Sequence, residues 1–354
     1  MLRQLIPQRL LTSPMHLPKN SVSRFFLMLA VALLAGAGPS LGAATAAHRT
    51  PVILDTDIGT DIDDSWALAQ LLKSPELDLK LVVTDTGDTH YRAKIVAKLL
   101  MAAGRTDVPV GVGRDFSPTD PKDMNLLPWV ADFRLADYPG KVHEDGVAAL
   151  IDMVMKSSET VTIIAVGAVP NLAIALEREP RIASRCRFVG MHGSVDVGYG
   201  GKAPPSAEAN VKDNPAALRA VLAAPWQDIL LTPLDTCGSV NLEGNRYRAI
   251  LEATRTDPLM RAVIESYRVF APRVRWMKCD FAETKSTTLF DCVAVYLSYS
   301  ESLVEIEKVR LRVTDDGFTV RDPAGAAVRV ALRWKSLDGF EDHLVGRLTG
   351  QPAK

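Results

Sequence analysis

Five aspartates crowd one short stretch, Pro51-Val-Ile-Leu-Asp-Thr-Asp-Ile-Gly-Thr-Asp-Ile-Asp-Asp-Ser-Trp-Ala-Leu68. Asp55, Asp57, Asp61, Asp63 and Asp64 surround a single glycine, Gly59, and no Lys or Arg lies between Pro51 and Lys73 to offset them. A bound hard cation is the simplest way to make such a cluster tolerable. Oxygen-only ligands favour Ca²⁺ or Mg²⁺ over zinc or copper. A helix cap would account for Asp61 or Asp63 alone, not for all five acids together.

The flanking residues say what holds the cluster. Val52, Ile53 and Leu54 form a short apolar run that reads as a buried strand. Trp66, Ala67, Leu68, Leu71 and Leu72 follow at helical spacing. The order is therefore strand, acidic loop, helix, which puts the carboxylates at the carboxyl end of the strand. Ligands bind there in open α/β sheets.

Downstream, apolar strand candidates alternate with helical stretches: Leu77–Thr86, Tyr91–Ala103, Val108–Gly113, Gly146–Met155, Val161–Gly167, Asn171–Glu177, Arg187–Gly193 and Ile229–Leu234. Such alternation predicts one α/β domain over residues 47–354 with an open, mostly parallel sheet flanked by helices. Val309–Thr314, Thr319–Arg321 and Ala327–Trp334 read as a small antiparallel group, followed by a helix near Leu337–Leu348. Segments 114–143 and 194–214 are long loops rich in Pro, Gly and Asp, the kind that carries function.

Residues 1–46 contain Arg3, Arg9, Lys19 and Arg24 and no acid, then an apolar run from Phe25 to Gly38 and small residues through Ala44-Thr45-Ala46. That pattern predicts a cleaved signal peptide and an exported protein, periplasmic or secreted, with no stable membrane anchor after cleavage. Without the leader the balance is 37 basic against 42 acidic side chains, near −5, which argues against a nucleic-acid partner. The cysteines Cys186, Cys237, Cys279 and Cys292 are sparse and irregularly spaced, neither a disulfide framework nor a zinc site.

Other strand ends carry polar residues. Asp85-Thr86-Gly87 matches the tripeptide of aspartic proteases, but that fold is all-β. Asp291 opens an apolar helix within Thr287-Thr-Leu-Phe-Asp-Cys-Val-Ala-Val295, and its bland reading is a helix cap. An Asp55-x-Asp57 pair around Mg²⁺ would suit a haloacid dehalogenase-type phosphatase, but leaves Asp63-Asp64 unexplained.

In these segments the chain resembles the nucleoside hydrolase family of the inosine-uridine preferring type. The family's DxDxGxDDAxAL signature stands here as DTDIGTDIDDSWAL, with two extra residues before Asp63 and Asp64. TVTIIAVGAVPNLAIALEREPRI, FVGMHG, AEAN at 207–210, FDCVAV at 290–295 and VRVALRWKSLDGFEDHL at 328–344 follow in the family's order. The resemblance implies Ca²⁺-dependent hydrolysis of the N-glycosidic bond of a small-molecule ribonucleoside by a homo-oligomer, dimer or tetramer. It implies metal ligation by Asp57, Asp64, Asp291 and the Val166 carbonyl, with Asp57 as general base. It implies contacts from Asp63, Glu208 and Asn210 to the ribose.

Three departures stand out. Asp88 replaces a family Asn and adds negative charge at the substrate site. Lys202 stands where a loop Asn contacts the sugar. Phe290 replaces the His that protonates the leaving base. Phenylalanine cannot donate a proton, although it can stack on a flat ring. His90, His143 and His192 are the candidate substitutes, with His192 best placed at a strand end. An exported nucleoside-binding protein without turnover is the alternative that Phe290 suggests.

Overall fold

A computed structural model describes residues 48–114 and 124–351. The expected signal peptide lies outside the described residues. The central strand is β1 (Thr50–Thr56). Val52 and Leu54 join one apolar layer and Ile53 the other, so the strand is buried on both faces. β2 (Leu77–Thr84) pairs parallel to one side of β1, and β3 (Val110–Val112) and β4 (Val142–His143) continue to that edge. β5 (Val161–Ala165) pairs parallel to the other side of β1, followed by β6 (Cys186–Met191) and β7 (Asp228–Thr232). The chain thus lays strands outward from β1, then returns to build the other half. The reversal opens a crevice between the carboxyl ends of β1 and β5, the usual ligand site of such sheets.

The expected antiparallel group is present and is fused to the main sheet. β8 (Val304–Val313) pairs antiparallel with β9 (Thr319–Arg321) and β10 (Ala326–Trp334). β10 also pairs parallel with β7, giving a ten-stranded sheet in the order β4-β3-β2-β1-β5-β6-β7-β10-β8-β9.

In chain order the helices are α1 (Asp63–Leu72), α2 (Thr89–Ala102), α3 (Gly146–Lys156), α4 (Pro170–Arg178), α5 (Ala209–Asp213) and α6 (Pro215–Ala223). They continue as α7 (Leu234–Cys237), α8 (Gly244–Ala253), α9 (Pro258–Phe270), α10 (Phe290–Leu297) and α11 (Leu337–Thr349). Apolar residues of α1, α2 and α8–α11 pack with Val52 and Leu54, while those of α3, α4 and α6 pack with Ile53. α1 is anchored by Trp66, fully buried with Tyr247 and Tyr267 at ring-centroid distances of 6.4 Å. Truncating Trp66 to Ala would cost about 3–5 kcal/mol, the usual range for a buried large aromatic. Among the described residues no helix is long and apolar enough to cross a membrane. All four cysteines are free.

Candidate metal centre and active site

The acidic turn joins β1 to α1, and Gly59 lets it form. Its φ is +102°, and a Cβ there would lie 2.5 Å from Ile95 Cδ1 of α2. Glycine alone satisfies both the backbone and the close approach. The turn delivers Asp63 and Asp64 into the first turn of α1, and Asp291 sits in the first turn of α10. One carboxylate oxygen from each of Asp63, Asp64 and Asp291 lies within 4.8 Å of the others, and all three side chains are buried. The N-terminal ends of two helices partly offset this charge. Asp291 N donates to Asp63 Oδ2 at 3.3 Å. Thr56 Oγ1 donates to Asp64 Oδ1 at 2.5 Å and accepts from Ile58 N at 3.2 Å, fixing Asp64 against the strand end.

Neither Asp63 nor Asp291 acts as a helix N-cap: those positions fall to Ile62 and Leu289, neither with a side-chain capping bond. The trio pays for its burial in protonation. Desolvation pushes all three carboxyls well above the usual carboxylate range, reinforced by Asp61 at Asp63, Asp57 at Asp64 and Asp63 at Asp291. Only oxygen donors meet here, in buried surroundings, and that donor set fits a hard divalent cation.

The structure sorts the five clustered aspartates into different places. Asp57, expected as ligand and base, is half-buried and stands outside the trio, close enough for its charge to raise Asp64. Burial pushes Asp57 up and the Arg92 guanidinium pulls it down. Asp61 is pushed up to about 7 by burial, with Asp64 and Asp57 adding to the rise. Asp55 belongs elsewhere. It is fully buried, its Oδ1 accepts from Asn171 Nδ2 of α4 at 2.7 Å, and burial pushes it to about 7. The buried carboxyl of Asp85 accepts from Val169 N at 3.3 Å.

The residues expected on the sugar occupy the adjoining loops. Buried Glu208 caps α5: its Oε1 accepts from Asn210 N at 2.8 Å, and its Oε2 from Gly193 N at 3.0 Å and Val211 N at 3.3 Å. Desolvation pushes it to about 7 despite these donors. Asn210 Nδ2 donates to the carbonyls of Val166 and Met191, each at 3.1 Å. The Val166 oxygen therefore lies beside the Asn210 amide. Asp88 is the N-cap of α2, its Oδ1 accepting from Tyr91 N at 2.8 Å.

The aromatic and histidine positions separate clearly. Phe290 begins α10 and packs T-shaped with Tyr199, with ring centroids 6.1 Å apart and an interplanar angle of 84°. Tyr199 is 48% exposed, so the pair forms a wall open to solvent on one side. His192 was expected as the substitute acid. It is buried against Phe188 with its Nε2 2.8 Å from Gly167 O, and desolvation lowers its pKa to about 4. The reason is strand parity. Phe188 faces the α3/α4 layer and Met191 the opposite layer, so His192 falls on the side away from the trio. His90 is exposed and pairs with Glu144 at 3.2 Å, and His143 lies in edge strand β4.

The sequence reading missed Thr56, Asn171 and Arg92. Thr56 had a local signal, a hydroxyl two residues from the glycine turn. Asn171 and Arg92 had none, because each is a polar residue on a helix that spacing alone leaves facing solvent.

Comparison with known proteins identifies the family. The profile of the inosine-uridine preferring nucleoside hydrolases matches residues 52–339. The non-specific ribonucleoside hydrolase RihC of Escherichia fergusonii is 27% identical over 227 residues, spanning 62% of this chain and 73% of that relative. A plant nucleoside hydrolase, the PpNRh1 enzyme, shares the fold with a TM-score of 0.68 at 23% identity, covering 85% of this chain and 99% of its own. The purine-preferring ribonucleoside hydrolase from Gardnerella vaginalis does so with a TM-score of 0.66 at 21% identity, over 85% and 98%. A family match over most of the chain, on this ten-stranded and mostly parallel sheet, places this protein among the inosine-uridine preferring nucleoside hydrolases, enzymes that hydrolyse N-glycosyl bonds.

Proposed function

We propose that this protein hydrolyses ribonucleosides to base and ribose around one Ca²⁺. The observation that carries the reading is the meeting of Asp63, Asp64 and Asp291 carboxylate oxygens at the switch point. Asp64 and Asp291 would hold the ion, with Asp57 and the Val166 carbonyl as further ligands. Asp63 joins them or the ribose. The Val166 oxygen already accepts one bond from Asn210, and a carbonyl has a second lone pair to give. When bound, such an ion supplies positive charge that acidifies water and orients a vicinal diol.

The chain's own groups account for the remaining chemistry. Asp57 takes a proton from the attacking water, and Arg92 favours its ionised form. Water attacks C1′, the bond from C1′ to the base nitrogen breaks, and its electron pair leaves with the base. Nearby carboxylates stabilise the positive charge that develops on the sugar. Glu208, held by three backbone N–H groups, and Asn210 bind ribose hydroxyls from fixed positions. Phe290 gives the departing base an aromatic surface and no proton, so the leaving group departs largely as an anion.

The test is incubation of purified protein with a mixture of nucleosides. Free base and ribose are expected. Free phosphate from added phosphomonoesters, or binding without products, would overturn the reading. Export belongs to the same proposal and is supported by the basic front and apolar run of residues 1–46. N-terminal sequencing of extracytoplasmic protein should find a start after Ala46, and an intact leader would contradict it. Light scattering should find a homo-oligomer, and a monomer would remove that part.

A further inference from the structure

Arg92 is a buried guanidinium, 2% exposed, on the first turn of α2. Its Nη1 donates to Asp57 O and, at 3.0 Å, to Ile58 O, while its Nε donates to Thr86 O at 2.6 Å. The neighbouring Tyr91 hydroxyl donates to Gly59 O at 3.2 Å and accepts from Leu126 N at 2.8 Å. Two adjacent side chains of one helix therefore pin three successive carbonyls of the acidic turn. Arg92 also ties that turn to Thr86, a non-glycine residue at φ +57° in the loop after β2. A turn held at successive carbonyls cannot rotate its peptide planes without breaking charge-assisted bonds. The guanidinium further offsets charge on Asp57, Asp64 and Asp85.

We propose that Arg92 is a positioning residue that holds the Asp57–Gly59 turn in its ion-receiving shape before ion or substrate arrives. The inference rests on the calcium reading above. Geometry and charge act in opposite directions here, which makes the claim testable. Removing a positive charge beside a cation site, with nothing else changed, tightens cation binding. Losing the bonds that shape the site weakens it. A lysine keeps the charge but lacks the planar fork that spans separate carbonyls.

Calcium binding is measured by calorimetry on wild type, Arg92→Met and Arg92→Lys, well below their melting temperatures and with circular dichroism confirming the fold. Both variants are expected to bind Ca²⁺ more weakly, by roughly ten- to a hundredfold, the usual cost of losing a residue that orients metal ligands. Tyr91→Phe, which loses one of the three turn bonds together with the Leu126 bond, should weaken binding less. A residue that merely stabilises the fold would lower the melting temperature and leave the affinity of folded protein unchanged. Unchanged binding in Arg92→Lys, or tighter binding in Arg92→Met, overturns the proposal. If Arg92→Met does not fold, Arg92→Lys decides alone. Wild type that binds no calcium would instead sink the calcium reading, leaving the two failures distinguishable.

Discussion

Buried carboxyls that share one ion must exchange protons for it, so calcium binding here should depend steeply on pH. Two ionised carboxylates within 4.8 Å of each other repel by at least about 3.5 kcal/mol at an effective dielectric near 20. Burial and this repulsion together push Asp63, Asp64 and Asp291 well above the ordinary range, and Asp61 beside them to about 7. With folded pKa values above unfolded ones, the ion-free protein keeps these protons as pH rises and the unfolded chain does not. Its stability therefore falls from about pH 4 upward, through the folded values. Calcium reverses this by replacing the protons. Below the raised folded pKa values each proton displaced costs about 1.4 kcal/mol per pH unit, a tenfold change in affinity. For a domain of roughly 300 residues that is about 2 °C of calcium-induced stabilisation gained per pH unit and proton. Melting curves with and without saturating Ca²⁺ at pH 5.5, 6.5 and 7.5 measure it, because differences at fixed pH cancel the opposing contribution of buried His192. Calorimetry in buffers of different ionisation enthalpy counts the protons released. Calcium affinity that is flat across this range, with no proton release, would refute the protonated trio.

Asp64→Ala should abolish calcium binding, read by calorimetry; binding within tenfold of wild type would remove Asp64 from the ligand set. Asp57→Asn keeps an oxygen but no proton acceptor, so turnover should fall roughly a hundredfold or more while calcium stays bound; near-normal turnover would show that another group is the base. Without an acid at position 290, a nitrophenyl riboside should be cleaved roughly a hundredfold faster than inosine. Phe290→His should raise inosine turnover selectively and add a pH limb near the histidine pKa of about 6.5. Equal wild-type rates on both substrates would mean that another acid is at work.

The strand, acidic loop and helix around Gly59 were legible because apolar spacing and turn chemistry are local. The antiparallel end of the sheet was legible too, since Thr319–Arg321 and the β10 alternation need no distant partner to be seen. Boundaries moved where caps decide them: α2 begins at Thr89 rather than Tyr91 because Asp88 caps it. The division of labour among the aspartates was not legible. Asp55 shares parity with Ile53, which turns it toward Asn171 on the α4 side, whereas the trio forms beside α1 and α10. The same parity turns His192 toward Phe188. Arg92 was missed because its burial depends on two loops meeting one helix, a tertiary fact that helical spacing does not encode.

The central claim is that ribose release requires the ion held by the clustered carboxylates. Bound calcium per chain and ribose released from a nitrophenyl riboside should be followed in the same samples, through exhaustive chelation and then stepwise return of Ca²⁺. The account predicts about one calcium per chain in the active protein, with both quantities lost together and restored together. Undiminished ribose release from metal-free protein, or stoichiometric zinc with no calcium in the active enzyme, would contradict it.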